Sequence, residues 1–311
     1  MSTSVELLAD GGEAACAPEF FRSREFLEAE GATHTLLVGG AIRPLALPLI
    51  VREIEGGGRD AVSPYGYPGA TNEGEPLQLS DEQLGASGLV SVFVRERVGW
   101  PSLAGGSSRG TVLLHDPERP RHVRETFAWE ARRNERDGYS TQVAPGPEVD
   151  EETLVAFNEI YEQTMRNAEA SNRYFFGLEY LRRCLDFGRS WLVTARDGEG
   201  EIGSAAIAAV SDGVLHYFLA GTADSQRSAS PGKNGLIALL DLADELGTPL
   251  NLGGGINPGD GLEAFKRGFT NASEPFLTHE LIGDQAAYER LCEGRTPADE
   301  SFFPAYRAPL G

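Results

Sequence analysis

The chain has 311 residues, 41% hydrophobic and 24% charged, the balance of an ordinary globular protein, and no apolar run approaches the roughly 20 residues that span a bilayer. Its formal net charge of −20 repels polyanions on average and argues against a broad basic face for duplex nucleic acid. A chain this long is expected to divide into two domains rather than to build one core.

In the first half, residues 20–30 read as a helix. Residues 33–38 alternate as a strand and continue through Gly39-Gly40 into 41–52, a hairpin whose second strand is expected to be irregular or at an edge because of Pro44 and Pro48. Residues 60–70 (DAVSPYGYPGA) have the Pro and Gly density of a rigid loop. Tyr65 and Tyr67 on it either line a pocket or cover a core edge. Residues 89–95 and 110–115 are strands, and the GGSSR stretch between them is either a phosphate-facing loop or a plain turn. Residues 123–137 form a helix stopped by Gly138. Arg119, Arg121, Arg124, Arg132, Arg133 and Arg136 crowd this segment. They are either a local basic patch able to hold a nucleic-acid end or a face of ion pairs with Glu125, Glu130 and Glu135.

Residues 144–150 (APGPEVD) read as the linker between halves, which sets domains at 1–145 and 146–311. The second half opens with a long helix over 151–170, with Leu154, Phe157, Ile160, Tyr161 and Thr164 at helical spacing, then a helix over 178–186. Strands follow at 190–195, 203–210 and 214–220, with turns at Asp197-Gly198 and Asp212-Gly213. A loop leads into a helix within 231–246, and a last strand spans 276–282.

The most informative stretch is 250–269, LNLGGGINPGDGLEAFKRGF. An apolar start breaks into Gly253, Gly254 and Gly255, loops through Asn257, Pro258 and Gly259, and resumes as an amphipathic helix with Phe265 and Lys266. Glycines after a strand let the backbone take positive φ and come close to a ligand. Of the 27 lysines and arginines only Lys233 and Lys266 are lysine. Lysine, unlike arginine, loses its proton when buried, so these two are candidates for chemistry. The plain alternative is that they are surface charges left over by a biased composition. Cys16, Cys184 and Cys292 are an odd number without metal-ligand spacing and read as free thiols in a reducing compartment. The five histidines are scattered singly, and no metal site is expected. The N-terminal stretch lacks a basic region before an apolar one, so a cytoplasmic location is expected.

SPYGYPG from Ser63, RNERDGY at 133–139, YEQTMRNAEASNRY at 161–174, SPGKNGLIALL from Ser230, and LGGG followed by FK resemble the Fem-type transferases of the GNAT-like superfamily. These include peptidoglycan-bridge aminoacyltransferases and their relatives in natural-product pathways. The resemblance covers most of the chain and is most specific at LGGG and FK. It implies an α/β fold of two tandem GNAT-like domains, mixed sheets flanked by helices, with the substrate cleft between them. It implies an aminoacyl-tRNA donor, engaged at its acceptor end, and an amide bond formed on a small-molecule amine. No cofactor, membrane or duplex DNA is called for. By motif match Lys266, beside Phe265, is the catalytic lysine. Tyr65, Tyr67, Arg166, Tyr174 and Gly253–Gly255 fall at substrate-binding positions, and Lys233 and Asn234 at donor-binding ones. Two departures matter. No heptad arm interrupts the second half, and the coenzyme A loop pattern Q/R-x-x-G-x-G/A is only echoed by Gln226, Arg227, Gly232 and Gly235. An acyl-coenzyme A donor therefore stays open, as does a non-catalytic ligand-binding protein on the same fold.

Overall fold

A computed structural model describes residues 4–39, 44–72, 74–255, 257, 259–296, 298–299 and 301–309. Gly40 and 41–43 of the expected hairpin, and Pro258 of the glycine loop, lie outside the described residues. The chain divides into two compact units, Met1–Arg109 with Phe276–Gly311, and Gly110–Pro275. The first unit is thus discontinuous, and the expected boundary at 145/146 falls within the second. The reason is a strand that the linker reading overlooked: residues 140–145 pair with residues 191–196 through six partners.

The first unit holds strands β1 (Ser4–Leu8), β2 (His34–Gly39), β3 (Leu45–Glu53), β4 (Arg59–Val62) and β5 (Leu89–Arg95). Its helices are α1 (Arg24–Ala29) and α2 (Asp81–Gly85). The strands run β1-β2-β3-β4-β5, antiparallel except for the parallel β4/β5 pair. β3 is not an edge strand, yet it tolerates Pro48. Ala46 turns its N–H and C=O away from β2 to Thr71. Pro48, two residues on, faces the same way at a level β4 does not reach, since β4 pairing begins at Ile50, so no ladder bond is lost there. Leu36, Leu47, Leu49, Val92 and Val94 centre the core. Buried Asp60 accepts from Arg52 Nε at 2.9 Å, Arg307 Nε at 2.5 Å and Tyr306 Oη at 3.0 Å. These bonds fix the C-terminal segment to β4.

The second unit contains β6 (Ser107–His115), α3 (Glu125–Arg136), β7 (Ser140–Pro145), α4 (Glu151–Asn167), α5 (Gly177–Asp186), β8 (Ser190–Arg196), β9 (Ile202–Ser211), β10 (Val214–Thr222), α6 (Gly232–Leu246), β11 (Leu250–Asn251) and α7 (Gly261–Lys266). β12 (Ala272–Ile282) then returns to the first unit beside β5, and α8 (Gln285–Cys292) follows it. The GGSSR stretch does not form a phosphate-facing loop, because β6 already begins at Ser107. The order within this unit is β6-β11-β10-β9-β8-β7, antiparallel except where β10 meets β11. All ten residues of β9 are buried, so both faces of the sheet are covered. α6 packs Leu236, Leu239, Leu240 and Ala243 on Val193, Ala208, Val210 and Leu215, with Phe127 of α3 in the same cluster. α4 lies against β9 and β10. It starts at Asp150, whose carboxylate accepts from Thr153 N at 2.7 Å, an N-cap that occupies an otherwise orphan donor. The expected class, mixed sheets flanked by helices, is the observed one. Among the described residues no helix is long and apolar enough to cross a membrane.

Candidate active site

The feature that sets the site is a parting of strands. β10 and β11 share only two register positions, Leu215↔Leu250 and His216↔Asn251. Beyond them β10 stays with β9 as far as Thr222, through a bulge between Tyr217 and Leu219. The other arm stays with β6, its partner already at Leu250 and Asn251: Leu252 N donates to Leu113 O at 2.9 Å, and Leu113 N to Gly253 O at 3.1 Å. The sheet therefore opens into a V, with Gly253–Gly255 on one arm.

Each glycine of the triplet is dictated. Gly253 has φ +70, a left-handed conformation that side chains disfavour. A Cβ on Gly254 would lie 2.6 Å from Thr111 O, and one on Gly255 would be driven into the Asp260 carboxylate. The base of the V is equally fixed. Gly253 N donates to Asn251 Oδ1 at 2.7 Å, which leaves the Asn251 amide nitrogen to donate to His216 Nδ1 at 3.1 Å. The His216 proton then sits on Nε2, facing Ser211 O at 3.4 Å. Burial holds the His216 pKa down at about 4, so the ring is a neutral acceptor.

Past the triplet, two carboxylates tie the loop to α7. Asp260 caps the helix by accepting from Glu263 N at 2.7 Å and also accepts from Asn257 N at 2.9 Å. Glu263 accepts from Gly259 N at 2.8 Å and from Arg267 Nε at 2.9 Å. Phe265 then packs on Phe127 and Phe269, ring centroids 5.5 Å away in each case. The next side chain, Lys266, folds back on the loop, and its Nζ donates to Gly254 O at 2.7 Å. Desolvation lowers its pKa to about 8, opposed by the nearby Asp260 charge. A lysine in that range is largely an ammonium at neutral pH and yields its proton readily.

The other expected site residues fall into three groups. Lys233 and Asn234, in the first turn of α6, are buried and engaged with α3. Lys233 Nζ meets Glu130 Oε2 at 2.5 Å and lies 4.8 Å over the Phe127 ring. Asn234 donates to Ala131 O at 3.0 Å and accepts from Asn134 at 2.9 Å. Phe127 thus touches both Lys233 and Phe265. Arg166 is exposed near the end of α4 and pairs with Glu162 at 3.2 Å. Thr164, two residues earlier and on a different face of α4, accepts on Oγ1 from Thr222 N at 3.0 Å, at the end of β10. Tyr174 accepts on its carbonyl from Tyr161 Oη at 2.7 Å and carries Arg173 over its ring at 5.2 Å. Tyr65 and Tyr67 belong to the first unit. Tyr65 N donates to Glu30 at 2.7 Å, and the Tyr67 ring packs edge-on against Phe21 and Phe276. Among the described residues no group of acids, histidines and cysteines is arranged to hold a metal.

One residue of the V escaped the sequence reading. Tyr217, at the bulge, packs on the same apolar cluster as Phe265, and burial pushes its hydroxyl up to about 12. Its only signal in the sequence was a lone tyrosine in an otherwise apolar strand.

Residues 121–267 match the family model described as Acetyltransferase (GNAT) domain. No curated protein matches the chain by sequence. Among solved structures, FemX superposes with a TM-score of 0.61 at 12% identity, over 86% of this chain and 93% of that one. A C-terminal domain from Agrobacterium fabrum, assigned to a lysylphosphatidylglycerol synthetase, gives 0.57 at 13% identity over 91% and 95%. A conserved protein of unknown function from Bacteroides thetaiotaomicron gives 0.53 at 8% identity over 86% and 90%. Residues 121–267 are thus similar to a GNAT acetyltransferase domain, and the fold that holds them is one this chain shares with FemX. The architecture resembles that of FemX and of the Agrobacterium fabrum domain.

Proposed function

We propose that the protein forms an amide bond in the cytoplasm by transferring an aminoacyl group from the acceptor end of an aminoacyl-tRNA to the amine of a small acceptor, either a cell-wall precursor or a natural-product peptide or nucleoside. The observation that carries this reading is Lys266: a half-buried ammonium on a glycine-walled loop at the mouth of a split sheet, with a depressed pKa. An aminoacyl ester is already activated. It needs a neutral amine brought to the carbonyl carbon and a cation near the oxygen that gains charge, a contribution of a few kcal/mol. The amine attacks, the C–O bond to ribose breaks, and the leaving oxygen takes up a proton. Lys266 Nζ stabilises the tetrahedral oxyanion or protonates that ribose oxygen. Gly253–Gly255 let the reacting carbonyl approach the backbone. Lys233 and Asn234 set the helix beneath the donor, and Arg166 clamps an anionic group of the acceptor, with Tyr174 beside it.

The test is mass spectrometry of candidate amines incubated with charged tRNA, with and without ribonuclease. Product that needs the intact charged tRNA supports the reading. Product that survives ribonuclease and requires only an acyl-coenzyme A overturns it in favour of a second reading, acyl-coenzyme A-dependent N-acylation, which the match to an acetyltransferase domain supports.

A further inference from the structure

Helix α3 carries a stripe that neither the core nor the proposed chemistry uses. Its inner face is Phe127, Ala131 and Asn134. On the opposite side Trp129, Arg132, Arg133 and Arg136 recur at i, i+3, i+4 and i+7, a single face of a helix. Trp129 is 53% exposed. The Arg133 guanidinium lies 5.5 Å from its ring centroid and reaches Asp137 only at 4.0 Å. Arg132 and Arg136 are exposed and, among the described residues, have neither an ion pair nor a side-chain hydrogen bond. The interleaved acids leave this charge in place. Glu130 turns inward to Lys233, and Glu125 and Glu135 form no ion pair among the described residues. The other arginines of the segment are committed: Arg119 to Asp116 at 3.0 Å, Arg121 to Asp241 at 2.6 Å, Arg124 to Ala264 O at 3.0 Å. A chain of net charge −20 thus carries, in a band along this face, Arg132 and Arg136, without ion pairs among the described residues, beside a half-exposed indole that Arg133 approaches on one side.

The band spans about 10 Å along the helix. An indole offers a face on which any base stacks, and guanidinium groups spaced along a helix track a phosphate backbone. At about 0.1 M salt, charges beyond about 10 Å are largely screened, so a strand confined to the band escapes the acidic remainder. A bilayer is disfavoured by the same observations. It is a broad anionic plane that meets the whole surface, and the apolar side of α3 that would enter it is buried in the core. We propose that the Trp129–Arg132–Arg133–Arg136 face of α3 binds the single-stranded 3′ end of a tRNA. This inference rests on the tRNA reading of the donor. α3 is joined to the loop before α6 by Asn134 Nδ2, which donates to Ala229 O at 3.0 Å, so the docking helix and the proposed donor helix move as one piece.

The full chain is titrated, at several salt concentrations, with uncharged tRNA and with the same tRNA trimmed of its 3′ single strand. Arg132→Glu with Arg136→Glu, Trp129→Ala, and the control Arg290→Glu on α8 are compared, their unfolding midpoints checked alongside. Intact tRNA is expected to bind more tightly than trimmed tRNA. The arginine pair should weaken binding at least tenfold and flatten the log–log salt slope by about 1.4, since each of the two single-strand phosphate contacts contributes about 0.7. Trp129→Ala should weaken it by about tenfold and abolish tRNA-induced fluorescence quenching, and the control should do neither. Wild-type affinity in the α3 variants, or no binding by the wild type, overturns the proposal. So does loss by the same variants of binding to vesicles rich in anionic lipid, with tRNA affinity unchanged. Turnover separates the two ideas. Transfer from charged tRNA with an unaltered KM in the α3 variants sinks the docking face alone, whereas transfer only from acyl-coenzyme A sinks the donor assignment.

Discussion

The two lysines of this chain lie in one unit, Lys233 over the Phe127 ring and Lys266 next in sequence to Phe265, which packs on that ring, yet they are built into opposite situations. Lys233 is buried at the start of α6 against a carboxylate, Glu130 at 2.5 Å, with Phe127 beneath it. Its charge is answered by another charge, and the pair fastens α6 to α3. Lys266 has a carbonyl, Gly254 O, as its partner, and it is desolvated enough to lower its pKa to about 8. A carbonyl orients an ammonium without neutralising it. The same side chain therefore serves as a fastener where a counter-ion meets it and remains an available acid where only a dipole does.

The largest effect expected from this contrast is on turnover. Lys266→Met keeps the stem packing and removes the charge. Its kcat should fall by about 10²–10³, with an unfolding midpoint close to that of the wild type. Normal turnover in that variant would erase the distinction between the lysines. In the wild type the basic limb of kcat should fall near pH 8, as the ammonium is lost. In Lys266→Arg, slow because the guanidinium is longer and planar, that limb should be absent to beyond pH 10.

Next in size is an acid sensitivity at the base of the V. The folded-state pKa of His216, about 4, lies below the unfolded value of about 6.5, so between those values the unfolded chain binds the extra proton. Stability should be full above about pH 6.5 and should decline by ~3 kcal/mol as pH falls towards 4. Urea titrations at stepped pH, compared with His216→Gln, measure this; parallel pH profiles for the two proteins would show that the ring is not held neutral by the fold.

Lys233→Met should cost ~2 kcal/mol, less than for a fully buried pair because Glu130 keeps some contact with water. Its kcat/KM per folded molecule should stay within a few-fold of wild type. A large loss of donor affinity at an unchanged midpoint would instead give Lys233 a direct place at the donor. The smallest stability effect is expected at Arg166, whose exposed pair with Glu162 contributes at most ~0.5 kcal/mol. Arg166→Ala should act on KM for the acceptor, and an unchanged KM would reduce this arginine to a surface ion pair.

Most strands with buried residues were legible in the sequence: β5, β8, β9 and β10 all fall where apolar periodicity put them, whereas the short β4, with Asp60 and Ala61 buried, was read into the Pro- and Gly-rich loop that follows it. β1 and β7 were missed for a shared reason. They are terminal in their strand orders, and neither presents a fully buried residue to the pattern, so no alternation marks them. Missing β7 also misplaced the boundary, since its Pro and Gly neighbours then looked like a linker. At the site, the strand–glycine–helix grammar of 250–269 was visible, because it depends on local backbone needs. The V was not, because it arises where Leu252 and Gly253 lose β10 and keep only β6, partners that lie far apart in sequence. The contacts that bury Lys233 are likewise made by α3, a hundred residues earlier.

The bond from Lys266 to Gly254 O also bears on what happens when a ligand arrives. An ammonium waiting in water would shed its hydration shell at the moment of reaction, and that shell would compete with the substrate oxygen. Here the cation is already partly withdrawn from water and already aimed, held by one bond to a carbonyl of the loop that walls the site. Engaging a ligand becomes an exchange of one acceptor for another over a short swing of the lysine stem. The reorganisation that would otherwise accompany each turnover was completed when the chain folded.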